Sequence, residues 1–247
     1  MKKISVALPS ILVIIGLSLL FPQLCSPVYA QKKKFSHAVQ RSEDAARIIK
    51  LITVVPDTGL AKELIDRAEA VGVFPNVEKI TSLFSHLSQG YGVISARTGD
   101  GWTAPAFYAF GGGGFGSPFA KNDKYAVILL FMTKDTVDAF EKGGVRHKGV
   151  SKAVAGPVGP ITEDQRKGIE GAHILAYGYY NGDLKGLKLD KGFWEAGFSL
   201  NPDNNINKPL YDMKGREVLT GKKVETVMLD GILSYQEALV KYYTAAQ

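Results

Sequence analysis

The chain has 247 residues, 45% hydrophobic and 22% charged, with 27 glycines and 11 prolines, which excludes global disorder and a collagen-like repeat. Glycine above the usual level of about 7% favours turn-rich β structure over a helical bundle. A formal net charge of +6 suits anionic surfaces but falls short of the concentrated basic signature of a nucleic-acid binder, so no nucleic-acid partner is expected.

In chain order, Lys2 and Lys3 precede an uncharged apolar run over residues 4–21, interrupted by Pro9 and Gly16. Val28-Tyr29-Ala30 places small residues where a signal peptidase reads them, so residues 1–30 read as a signal peptide cut after Ala30. The alternative is an uncleaved anchor, since the run approaches the roughly 20 residues that cross a bilayer. A lipoprotein leader fits less well, because Pro22-Gln23-Leu24 precedes Cys25. Cleavage removes Cys25, the single cysteine, and leaves 28 basic against 24 acidic residues, or +4. Export to the periplasm or beyond, without disulfides, is the expectation.

Residues 31–52 open with Lys32-Lys33-Lys34 and continue into Ala45, Ile48, Ile49 and Ile52 opposite Arg41, Glu43, Arg47 and Lys50, the period of an amphipathic helix. Leu60, Leu64, Ile65 and Ala68 form the core-facing side of a second short helix, which Phe74-Pro75 is expected to end. From about residue 90, apolar stretches alternate with glycine. Residues 91–97 and 102–110 around Thr98-Gly99-Asp100-Gly101 read as a hairpin. Residues 125–132 read as a strand buried on both faces, and 133–142 as a helical turn with Val137 and Phe140 inward. Asn181-Gly182 is a strong two-residue hairpin signal, and Ser234 with Glu237 a capping box opening a last helix. These elements predict one α+β domain. It has a central antiparallel β-sheet, open or curled toward a barrel, and helices at the N- and C-terminal ends.

The chemical motifs are few. Gly111, Gly113 and Gly116 match G-x-G-x-x-G, but Ser117-Pro118 and Asn122-Asp123 lead toward another strand, leaving no helix N-terminus for a pyrophosphate. A tight bend or a close backbone approach explains these glycines better, with an anion contact through backbone N–H groups as the alternative. The four histidines show no metal-ligand spacing, and no nucleophile elbow or phosphate loop is present. No cofactor is expected, and a non-enzymatic protein is favoured. Two basic clusters stand out: Lys32, Lys33 and Lys34 beside the first helix, and Arg146 and Lys148 with Lys152. Each cation near an anionic surface is worth about 1 kcal/mol, so either cluster, joined to an apolar helix face, suits a peripheral membrane protein.

Phe74-Pro75, Tyr91-Gly92, Trp102-Thr103-Ala104-Pro105-Ala106, the glycine run ending Phe115-Gly116, and Ala155-Gly156-Pro157-Val158-Gly159 occur in one order. The series continues through Ala176-Tyr177 and Asn181-Gly182 to Tyr211. In this the chain resembles the SYLF domain family, also called the Ysc-type actin-binding domain family, over roughly residues 45–219. Where that family typically has G-G-R-Y, this chain has His86-Leu87-Ser88-Gln89. The resemblance implies a SYLF-like α+β domain over 53–247, following the 31–52 helix. It also implies a membrane-associated module that binds phosphoinositide-like or other anionic phospholipids and has no enzymatic activity. Lys32, Lys33, Lys34, Arg146, Lys148 and Lys152 are the candidate lipid-binding residues. A cell-envelope structural or protein-interaction module, with an unidentified protein partner and no lipid ligand, is the alternative reading.

Overall fold

A computed structural model describes residues 26–55, 57–81, 86–99, 101–113, 124–141, 152–188, 198–222, 224 and 229–243. The expected leader over residues 4–21 lies outside them. Two compact units are distinguished, residues 1–37 and 38–247. In the first, the described part is the beginning of helix α1 (Ser26–Thr53), which contains the Ala30–Gln31 bond.

The second unit is an α+β domain. After α1 come α2 (Lys62–Asp66), β1 (Ala70–Thr81), β2 (His86–Thr98), β3 (Gly101–Trp102), β4 (Ala106–Gly113) and β5 (Tyr125–Phe131). They are followed by α3 (Lys134–Glu141), β6 (Ala153–Ala155), α4 (Glu163–Gly168), β7 (Ile174–Tyr180) and β8 (Asp183–Gly186). β9 (Phe198–Pro202), α5 (Asn204–Tyr211), α6 (Gly215–Val218) and α7 (Ser234–Tyr243) complete it. Among the described residues nine strands form one sheet in the order β6-β7-β5-β1-β2-β4-β9, curled as a half-barrel, with β3 on β2 and β8 on β7. The sheet is antiparallel except for β6 and β7, which run parallel with Val154 opposite Leu175. The expected antiparallel centre is present, and the parallel pair lies at one edge of the sheet. The chain runs from β6 through α4 to β7, and a crossover of that kind delivers strands in the same direction.

β5 is buried at every residue, as its unbroken apolar run predicts. Asn181 at φ 47° and Gly182 at φ 87° make the left-handed pair that a two-residue hairpin requires. Phe74-Pro75 does not end α2, which stops at Asp66; the pair lies inside β1. Phe74 sits opposite Val127 and Val77 opposite Tyr125, so β1 carries one extra residue there, a β-bulge. Pro75 is tolerated because a bulged residue needs no ladder hydrogen bond. The bulge presses on β2, where a Cβ at Gly92 would lie 2.1 Å from the Val73 carbonyl oxygen. Gly92 is a requirement of that packing.

The apolar face of α1 also differs from its expected role. Ala45, Ile49 and Ile52 are 0–1% exposed, and Ala38 and Ser42 join them in the core. That face packs inside the domain. Ser42 links α1 to α7: its hydroxyl donates to the Ile232 carbonyl at 2.7 Å and accepts from the Tyr235 amide at 3.1 Å. This contact satisfies a donor at the start of α7, the position assigned to Ser234 as cap; Glu237 N–H donates to the Leu233 carbonyl. Tyr235, fully buried, reaches β1 and donates to the Val71 carbonyl at 2.9 Å.

Trp102 is 4% exposed under the Arg97 guanidinium, 4.4 Å from the ring centroid. Arg97 also donates to the Ile65 and Ala68 carbonyls, terminating α2. Asn207, fully buried, pairs with both backbone groups of Phe107 at 2.9 and 2.8 Å, completing the edge of β4 just beyond β9.

Candidate functional site

Four of the six sequence-predicted lipid-binding residues fall among the described residues, and all four are exposed. Lys32, Lys33 and Lys34 are successive residues of α1. Lys152 precedes β6 and donates from Nζ to the Glu170 carbonyl at 3.2 Å. Arg146 and Lys148 lie outside the described residues, as do Gly114, Phe115 and Gly116 of the glycine run. Gly111 and Gly112 are paired in β4, opposite Ser199 and Phe198 on one side and Gln89 and Ser88 on the other. Their backbone is spent on the sheet.

Two surface concavities carry the remaining chemistry. The first is a groove of about 410 Å³ between α1 and α7. Arg47, Lys50 and Lys241 line it against one acid, Glu237, with Ala46, Ala238 and Tyr242 between them. The Arg47 guanidinium pairs with Asp44 one turn earlier, and the Lys241 ammonium lies 5.4 Å from the Tyr242 ring centroid. Lys50 has no ion pair among the described residues. Just past this basic stretch the last turn of α1 and the two residues after it present apolar side chains to solvent: Leu51 is 39% exposed, Val54 57% and Val55 42%. Helical spacing sets Leu51 one turn beyond Arg47 and Val54 one turn beyond Lys50, and the Val54 amide still donates to the Lys50 carbonyl. Single exposed apolar residues are ordinary on soluble proteins. Here three fall within five residues of the chain, directly following Arg47 and Lys50.

The second is a cleft of about 500 Å³ at the end of β5, enclosed by α2, α4 and the turn before β7. Leu64, Met132, Ile169, Ala172 and Leu175 supply its apolar lining and Arg67, Glu163, Arg166, Lys167 and Glu170 its charges. Arg166 forms a two-pronged pair with Glu63, both contacts at 3.1 Å, and Lys167 pairs with Glu163 at 3.0 Å. α4 itself is fixed by Thr162, whose hydroxyl accepts from the Gln165 amide while the Gln165 side chain accepts from the Thr162 amide.

Perturbed titration marks packing in this protein. Burial pushes the Tyr108, Tyr177, Tyr211 and Tyr235 hydroxyls well above the ordinary tyrosine range, partly opposed at Tyr108 by Arg216. Burial also raises Tyr243, to about 12, against a lowering by its hydrogen bond with Thr53. The Tyr177 ring lies where a Cβ on Gly156 would sit 1.9 Å from its Cζ, which is why Gly156 and Tyr177 go together. Glu217 is lowered chiefly by the Lys214 amide, which donates to its Oε2 at 2.7 Å. Among the described residues no three His, Cys, Asp or Glu side chains gather as a metal site, and no helix is long and apolar enough to cross a membrane.

The sequence reading missed both concavities. Arg47 and Lys50 stood out only as the polar side of a helix, with no signal that Lys241 lies across from them. No family model matches the chain, and no curated protein matches it.

Proposed function

We propose that this is an exported protein that attaches peripherally to a membrane surface by binding anionic, phosphoinositide-like phospholipid head groups, and that it works by attachment without turnover. The observation that carries the reading is the exposed apolar run at and just past the C-terminus of α1, Leu51, Val54 and Val55, which follows Arg47 and Lys50 of the basic groove that Lys241 completes. Apolar side chains that reach the acyl boundary and cations that meet phosphates are the two components of interfacial binding, and each cation contributes about 1 kcal/mol. Lys32, Lys33, Lys34 and Lys152 are exposed and available to add to the attraction. The resemblance to the SYLF family supports the same ligand class. The core packing of Ala45, Ile49 and Ile52 moves the inserting surface from the middle of α1 to its end.

The test is co-sedimentation with vesicles of phosphatidylcholine alone and of phosphatidylcholine with phosphatidylglycerol. Binding to the anionic vesicles only, weakened when Leu51, Val54 and Val55 are changed together to serine, supports attachment. Equal recovery with neutral and anionic vesicles, or none with either, overturns it and favours a protein-interaction module of the cell envelope.

A further inference from the structure

The cleft at the end of β5 shares no lining residue with the α1–α7 groove, and its charge is arranged differently. Arg166 and Lys167 are already matched by Glu63 and Glu163. Two groups of opposite sign remain without an ion pair among the described residues: the Arg67 guanidinium, at the C-cap of α2, and the Glu170 carboxylate, just beyond α4. Both are exposed at the cleft wall. A simple anion entering would meet the Glu170 carboxylate, and a simple cation would meet Arg67. A neutral apolar molecule would desolvate both without replacing their lost hydration, which is costly. A molecule carrying both charges compensates both.

The apolar part of the lining is held by the end of β5 and the turn before β7. The Met132 amide donates to the His173 carbonyl at 2.8 Å, and the Ala172 amide to the Ile169 carbonyl at 3.0 Å. The Thr133 and Thr136 hydroxyls are joined at 2.6 Å beside them. A preorganised floor of this kind limits the ordering cost of binding. The volume of about 500 Å³ is within the range of small-molecule sites.

We propose that this cleft binds a small zwitterion with an apolar body, the size of a di- or tripeptide, with its carboxylate on Arg67 and its ammonium on Glu170. Arg67 supplies the planar fork that takes a carboxylate with two hydrogen bonds, Glu170 accepts from the amine, and Met132 and Ile169 meet the apolar side chains. The site goes beyond membrane attachment and does not depend on it.

Isothermal titration of the full chain with leucyl-leucine, its N-acetyl form, its C-terminal amide and decanoate tests the assignment. Leucyl-leucine is expected to bind with a dissociation constant between about 10 μM and 1 mM, and blocking either end should weaken binding about tenfold or more. In Arg67→Gln the free acid and the amide should bind alike, and in Glu170→Gln the free amine and the acetylated form should bind alike. Both variants should melt as the parent does, since both side chains are exposed. Absence of saturable binding up to about 10 mM, decanoate binding as tightly as the dipeptide, or blocked ends without effect would each overturn the proposal.

Discussion

The α1–α7 groove and the β5 cleft draw on similar residue types, and their arrangement separates them. At the groove three cations face one acid, and the nearby apolar side chains protrude from the end of a helix. At the cleft the charges are nearly balanced and the apolar side chains lie inside a concavity. Protruding apolar groups ringed by one sign of charge suit an extended surface of opposite sign. A recessed apolar floor under balanced charge suits a small molecule that brings both signs with it. Shape and charge pairing together, more than composition, distinguish the two kinds of partner proposed for one domain.

Both regions rest on the same core, and the largest expected effect strikes them together. The buried tyrosines have hydroxyls raised above the ordinary range, so below about pH 10 their neutral form is common to the folded and unfolded states. Above that pH the unfolded chain loses protons that the folded chain keeps. Stability therefore falls with rising pH, through about 12 for Tyr243 and beyond for Tyr108, Tyr177, Tyr211 and Tyr235. Each such tyrosine contributes a loss of about 1.4 kcal/mol per pH unit across its own window. Circular dichroism and tyrosine absorbance followed together should show the last tyrosines ionising as the fold is lost, after accessible ones such as Tyr91; ionisation of every tyrosine with the fold intact would contradict the packing described.

Trp102→Ala is expected to cost roughly 3–5 kcal/mol in chemical denaturation, the cost of emptying a buried aromatic site. Because Gln236 on α7 donates to the Trp102 carbonyl, a shift of the backbone into the emptied site should carry α7 with it and loosen the groove side of the molecule. Vesicle binding should then fall at temperatures where leucyl-leucine binding persists. Equal loss of both would dissolve the distinction between the two regions.

Changing Arg47, Lys50 and Lys241 together to glutamate should lower affinity for anionic vesicles by about 100-fold, from about 1 kcal/mol per cation, and leave the dipeptide site unchanged. The same reversal at Lys32, Lys33 and Lys34 should have a smaller effect that fades in salt, since exposed charges are screened over about 10 Å at 0.1 M. If that reversal proves the more damaging of the two, the attachment surface lies at the start of α1. The smallest effect concerns Glu217, whose lowered pKa adds stability above its ordinary carboxylate value that is lost as pH falls through the folded one. Glu217→Gln should therefore flatten the acid limb of the melting temperature slightly and touch neither binding readout.

Strong local patterns made several elements readable from the sequence. The unbroken apolar run of β5, the Asn181-Gly182 turn and the 3.6-residue period of α1 each set local structure by backbone preference and burial. β1 escaped because its alternation is interrupted by the bulge at Phe74-Pro75, so the proline looked like a helix stop. The cap of α7 escaped because Ser42 lies 193 residues from Tyr235.

The sequence by itself determined that this is an α+β protein with a basic, mostly acid-poor N-terminal helix, because those features follow from composition and local periodicity. Which face of α1 meets the core was decided only by tertiary structure. A periodic apolar stripe serves a protein core or a lipid surface equally well, and only the presence of Tyr235, Leu239 and Tyr243 in the same core selects the first. Bringing Lys50 and Lys241 to one groove, and Arg67 and Glu170 to one cleft, likewise required the folded chain, since the arrangement of charges is a property of distances in space that sequence separation does not encode.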